Sequence, residues 1–109
     1  MLYDFNQSII YSIAHLNGGD ETVFAKVIPC ATGSVMFATV PPGSSIGFHT
    51  HEKDMDFNFI LSGTEIAVCD GLEEELSPGT CHFCPQGSKH SIINTGVTDL
   101  QMYIAVVNI

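Results

Sequence analysis

Residues 43–63, GSSIGFHTHEKDMDFNFILSG, decide how the chain is read, together with residues 79–94, GTCHFCPQGSKHSIIN. In the first stretch His49 and His51 stand two apart, Asp56 follows, and Gly63 closes the segment. Strand side chains alternate between faces, so two imidazoles at this spacing point the same way and can grip one ion. The charged loop 52–55 lets the next strand return beside them, where Asp56 can share the same interior. The second stretch adds His90 behind Pro85 and Gly87. Three neutral imidazoles and one carboxylate suit a divalent transition metal: Mn, Fe, Ni, Cu or Zn. With four protein donors, a five- or six-coordinate ion keeps one or two positions for water or substrate.

Working outward, turn residues recur every eight to twelve positions and cut the chain into short strands. Residues 22–29, 34–40, 46–51, 56–62, 64–70, 80–84, 90–94 and 99–108 read as strands. They are punctuated by Ala31-Thr32-Gly33, Pro41-Pro42-Gly43, Ser77-Pro78-Gly79 and Asn94-Thr95-Gly96. Asp70-Gly71 is a hairpin-turn signal. The rhythm predicts an all-β barrel or sandwich, with residues 1–109 forming one domain around one modest core. Residues 1–19 are ambiguous. Ile9, Ile13 and Leu16 fit one helical face ended by Gly18-Gly19, while the β-branched content fits a strand equally well.

Composition narrows the function. Twelve acidic residues against three lysines, with no arginine, give a net charge of −9. Such a chain cannot build the basic face that nucleic acid or an anionic membrane requires. Multiply charged phosphate substrates are disfavoured for want of a bidentate clamp. The N-terminus carries neither a basic region nor a long apolar run, so no signal peptide is read, and a cytosolic setting is expected. There Cys30, Cys69, Cys81 and Cys84 are expected as free thiols. Cys81 and Cys84 form a Cys-x-x-Cys, but residues three apart on a strand face opposite sides, and buried, unpaired thiols are the preferred reading.

The two quoted stretches resemble the paired motifs of the cupin superfamily, in its small single-domain, cupin 2-type form. Gly43, His49, His51, the carboxylate at Asp56 and Gly63 match the first motif; Gly79, Pro85, Gly87, His90 and Asn94 match the second without a gap. The resemblance implies a double-stranded β-helix, or jelly-roll, barrel with His49, His51, Asp56 and His90 around one metal. It departs from the family at Asp56, where glutamate is usual. The side chain is shorter by roughly one C–C bond, about 1.5 Å. Direct ligation, a bridging water, or a three-histidine site are all open, with Asp54 of the same parity as the first substitute.

Further expectations follow from strand parity. Asn58, Ile60 and Ser62 share the face of Asp56 and are expected to line the cavity. Asn58 is read either as a group orienting water or substrate or as a backbone partner, and His82 as a candidate acid/base group if it faces inward. Asn94 is expected to give structural support, His15 to be ordinary surface, and Glu73-Glu74-Glu75 to decorate a solvated hairpin. Phe57, Phe59 and Leu61 take the opposite parity and need a cover: a second subunit, a further layer, or the N-terminal segment. Cupins are commonly homodimers, and a homodimer is expected. The leading functional reading is a metal-dependent enzyme acting on a small organic molecule, of dioxygenase, decarboxylase or isomerase type. The alternative is a non-catalytic module that binds a metal and a small molecule.

Overall fold

In the computed structural model, which describes residues 1–109, the strand carrying Asp56 shows the alternation that organises the molecule. From Asp54 to Ser62, Asp56, Asn58 and Ile60 are buried, whereas Phe59 and Leu61 between and beyond them are exposed. One face of that strand meets the interior and the other lies outside, as a two-residue period requires.

Ten strands follow in order: β1 Tyr11–Ala14, β2 Thr22–Cys30, β3 Gly33–Val40, β4 Ser45–Thr50, β5 Asp54–Ser62, β6 Ile66–Cys69, β7 Leu72–Glu75, β8 Cys81–Cys84, β9 Lys89–Ile93 and β10 Leu100–Asn108. They form a six-stranded sheet, β1-β2-β3-β10-β5-β8, and a four-stranded sheet, β4-β9-β6-β7. All the pairings are antiparallel. The all-β jelly-roll expectation holds. At the hairpin between β6 and β7, Asp70 and Gly71 both have positive φ, 50° and 83°, as the tight turn favoured by right-twisted strands demands. The ambiguous N-terminal residues resolve into a short 3-10 turn, Phe5–Gln7, then β1, then a second 3-10 turn, Leu16–Gly18. β1 extends the large sheet against β2.

Apolar side chains from both sheets meet in one cluster that includes Val40, Ile60, Ile92, Leu100 and Met102, each 3% exposed or less. Ile60 therefore belongs to the core and not to the cavity wall. Ser62, also expected on the wall, instead donates from Oγ to Gln101 Oε1 at the edge of the core (3.1 Å). The β5–β10 ladder slips register between Gln101 and Met102, next to that contact. Beyond Ile46 and Ile104 the packed core opens into a cavity. No helix is long and apolar enough to cross a membrane.

Candidate metal centre

Three strands deliver the polar end of the cavity. β4 carries His49 opposite His90 of β9, while β5, in the facing sheet, carries Asp56 and Asn58. The β4–β9 ladder is irregular between Ile46 and His49. His51 lies just past the end of β4, tied down by its backbone N–H to Ser88 O and its carbonyl from Gly87 N–H. These ties keep both histidines on one side although the strand has ended.

The three imidazoles converge through Nε2. His49 Nε2 lies 3.1 Å from His51 Nε2, and His90 Nε2 lies 3.0 Å from each of them. Asp56 Oδ2 stands 3.1 Å from His51 Nε2 and 3.4 Å from His90 Nε2. The four donor atoms all fall within 4.8 Å of one another. An ion about 2.1 Å from each nitrogen with right-angle ligation would hold the nitrogens roughly 3.0 Å apart, whereas tetrahedral angles would spread them to roughly 3.4 Å. The observed spacing is that of right-angle ligation, so the residues present fit a divalent ion with more than four coordination positions. The shorter Asp56 side chain reaches the cluster, and no substitution by Asp54 is needed.

Each histidine is oriented from behind through Nδ1. His49 Nδ1 donates to the carbonyl of Gly47 (2.8 Å) and His51 Nδ1 to Asp54 Oδ1 (2.6 Å), while His90 Nδ1 faces His82 Nε2 (2.9 Å). Asp54 is thus the partner that aims His51, not a replacement ligand. With Nδ1 as donor, Nε2 of His49 and of His51 is left with its lone pair toward the centre.

Asn58 takes the second of its two expected positions, that of a backbone partner, and His82, the acid/base candidate, stands behind the cluster. Asn58 Nδ2 donates to Asp56 Oδ1 (2.9 Å) and to the backbone carbonyl of His82 (3.1 Å), which uses both its amide protons. It holds Asp56 in place. His82 does face inward, being 2% exposed, but it touches His90 and Glu74 and does not line the cavity. Asn94 is structural, as expected: its amide bridges Val40 O and Thr98 O, both at 2.8 Å, and its Oδ1 accepts from Gly96 N–H. His15 is exposed.

Electrostatics favour the ligating forms of His49 and Asp56. Burial lowers the His49 pKa below its ordinary 6.5, with the neighbouring His90 and His51 acting the same way, so the neutral ring is favoured. Burial pushes Asp56 up, but the neighbouring His90 and His51 and the Asn58 amide outweigh that and hold the carboxyl below 3.8.

The cavity is about 350 Å³ in volume, lined on its remaining sides by Ile13, Leu16, Asn17, Met36, Thr50, Ile104 and Val106. No lysine lines it. The N-terminal segment therefore forms part of the wall, which its ambiguous periodicity did not foretell. The thiols divide by position. Cys84 is buried as expected, and burial above all, then the charge of Asp56, raises its pKa to about 12; Cys81, expected to be buried, is exposed, and so is Cys30. Cys81 and Cys84 lie on opposite faces of β8, as the strand period requires.

The profile of the Cupin domain matches residues 36–107, a stretch that contains the whole histidine and aspartate cluster. The chain belongs to the cupin family. This cupin is 40% identical over 68 residues to the oxalate-binding protein of Thermotoga maritima, an alignment covering 62% of this chain. It spans only 55% of the length of that curated relative. The crystal structure of a predicted oxalate decarboxylase from the same organism superposes with a TM-score of 0.95 over 100% of both chains, at 26% identity. A Cupin 2 conserved barrel domain protein from Salinispora arenicola aligns with a TM-score of 0.70 at 25% identity, covering 79% of this cupin and 76% of that chain.

Proposed function

We propose that this cupin binds a small carboxylate, oxalate being the first to test, by chelation to a divalent ion held by His49, His51, Asp56 and His90. The observation that carries the reading is the convergence of three Nε2 atoms and one carboxylate oxygen at 3.0–3.4 Å in a cavity without a lysine. With no arginine in the chain either, an anion inside has no protein cation to meet. A bound divalent ion supplies that positive charge and can polarise a carboxylate or carbonyl. The relatives described as oxalate-binding and as a predicted oxalate decarboxylase support the same ligand class.

Between binding and turnover, the side chains favour binding. Asp54 is engaged with His51, Asn58 with Asp56, and His82 with His90 and Glu74. The polar cavity groups left over are Asn17 and Thr50, neither of which exchanges a proton near neutral pH. Met36, Ile104 and Val106 would pack against the ligand's flank and exclude water. The enzyme reading rests on Lewis-acid chemistry alone, without a positioned general acid or base. We also infer a homodimer through the outer face of β5 and β8. The four free thiols suit the expected cytosolic setting.

The test is calorimetric titration of Mn²⁺ into untagged protein, then oxalate into the metal-loaded form, with carbon dioxide release followed in parallel. Metal-dependent oxalate binding without turnover is expected, and His49→Ala should abolish it. Oxalate binding that is equal with and without metal would refute the chelation reading. Carbon dioxide release that His49→Ala removes would establish the enzyme instead.

A further inference from the structure

Behind His90 a line of hydrogen bonds leads out of the pocket to the surface. His90 Nδ1 lies 2.9 Å from His82 Nε2, and His82 Nδ1 lies 2.5 Å from Glu74 Oε1. The two rings stack, with centroids 5.2 Å apart and planes 16° from parallel. Both histidine side chains are buried, whereas the Glu74 side chain is 51% exposed. The three residues sit on β9, β8 and β7. The line thus runs from the small sheet to the edge strand of the large one and back to the small sheet's own edge strand.

With both rings neutral, this line admits one proton placement. A neutral imidazole has one donor nitrogen and one acceptor nitrogen, and an ionised carboxylate only accepts. Glu74 therefore takes a hydrogen bond from His82 Nδ1–H, which makes His82 Nε2 an acceptor. That nitrogen in turn requires the proton of His90 on Nδ1, which leaves the lone pair of His90 Nε2 aimed at His49, His51 and Asp56. Each assignment fixes the next. His49 and His51 get the same service directly, from a backbone carbonyl and from Asp54. For His90 the relay through His82 is the observed route.

We propose that Glu74 and His82 are positioning residues that lock His90 in the Nδ1–H tautomer, so that a surface carboxylate on β7 sets the donor readiness of a buried ligand. Outer partners of this kind typically change metal affinity 10- to 100-fold when removed. That consequence for affinity rests on the metal reading above; the tautomer itself does not.

Two measurements decide it. Nitrogen-15 spectra of histidine-labelled, metal-free protein should show one tautomer for His90, protonated at Nδ1 and bare at Nε2. Glu74→Ala should blur that into a mixture. Glu73→Ala removes the same charge one residue away and should leave it intact. Calorimetry with Mn²⁺ alone should then show a 10- to 100-fold loss for Glu74→Ala, a partial recovery for Glu74→Gln, and no change for Glu73→Ala. Glu74 stands half exposed, so its replacement leaves the core untouched. An Nε2–H tautomer at His90 in the wild type would overturn the proposal, as would equal losses for Glu74→Ala and Glu73→Ala. Wild-type protein that binds no Mn²⁺ yet shows the Nδ1–H tautomer would refute the metal reading and uphold the relay.

Discussion

Asp56 and His49 set how the pocket responds to acid, because each prefers its ligating form. The folded-state pKa of His49 lies below 6.5, so between that folded value and 6.5 the unfolded chain binds a proton that the native ring refuses. Stability in the metal-free protein is therefore at its fullest above pH 6.5 and declines as pH falls from there through the folded value. Asp56, held below 3.8, adds a second decline as pH falls below 3.8. Metal binding follows the first step in the same direction, since a ligating imidazole must be neutral. The expected outcome is a melting temperature of metal-free protein that drops from pH 7.5 to 5.5, and a Mn²⁺ affinity that weakens over the same interval. A flat melting temperature across that interval would contradict the burial of His49. At this scale the cluster was legible because strand parity puts His49 and His51 on one face and the paired motifs add Asp56 and His90. The outer partners were not. Glu74 reads as one of three solvated glutamates, and nothing in the chain's own pattern indicates that β7 meets β8 where the two sheets close.

The element that most constrains the pocket is the crossing of the Leu16–Gly18 turn over β4. A Cβ on Gly47 would stand 2.3 Å from the carbonyl oxygen of Asn17 and 2.6 Å from the backbone nitrogen of Gly19. Both are backbone atoms, so neither can rotate aside. The same Gly47 supplies the carbonyl that orients His49. Gly47→Ala should therefore force the turn away from β4, costing about 1–3 kcal/mol as overpacking does. In a domain of this size that corresponds to a fall in melting temperature of several degrees or more. Mn²⁺ affinity should fall with it, because His49 loses its aim. Thermal melts and calorimetry on the variant check both effects, and an unchanged melting temperature would show that the turn yields freely. Eight of the ten strands were readable from their turns, to within about two residues at each end, whereas β1 stayed ambiguous and β7 was read only as a solvated hairpin. The turn Leu16–Gly18 was not, because His15 and Asn17 adopt left-handed backbone angles, φ 54° and 53°, that no helical or strand periodicity announces.

The whole molecule presents an apolar face that its own chain covers only in part. Phe5 packs over Phe37 and Tyr103, with ring centroids 6.2 and 5.9 Å away, and so shields the outer side of β3 and β10. It stops short of the neighbouring strands. Phe59, Leu61 and Phe83 remain 48%, 43% and 43% exposed, and Phe57 stacks on Phe83 at 4.7 Å. Completing the burial of such side chains contributes up to about 1.5–3 kcal/mol for each. The outward side chains of β5 and β8 include no charged group between Met55 and Leu61 or at Cys81 and Phe83. In a chain of net charge −9 an uncharged apolar strip is where two copies can approach with least repulsion. A two-fold pairing would match the strip to itself. Light scattering at micromolar concentration should give twice the 11.8 kDa chain mass, with association strengthened by added salt as the remaining acidic surface is screened. Phe59→Glu should place a carboxylate in the middle of that strip and return the mass to a monomer, while the circular dichroism of the folded barrel persists. A wild-type monomer at that concentration, or a dimer indifferent to Phe59→Glu, would mean that another surface or no surface joins the copies.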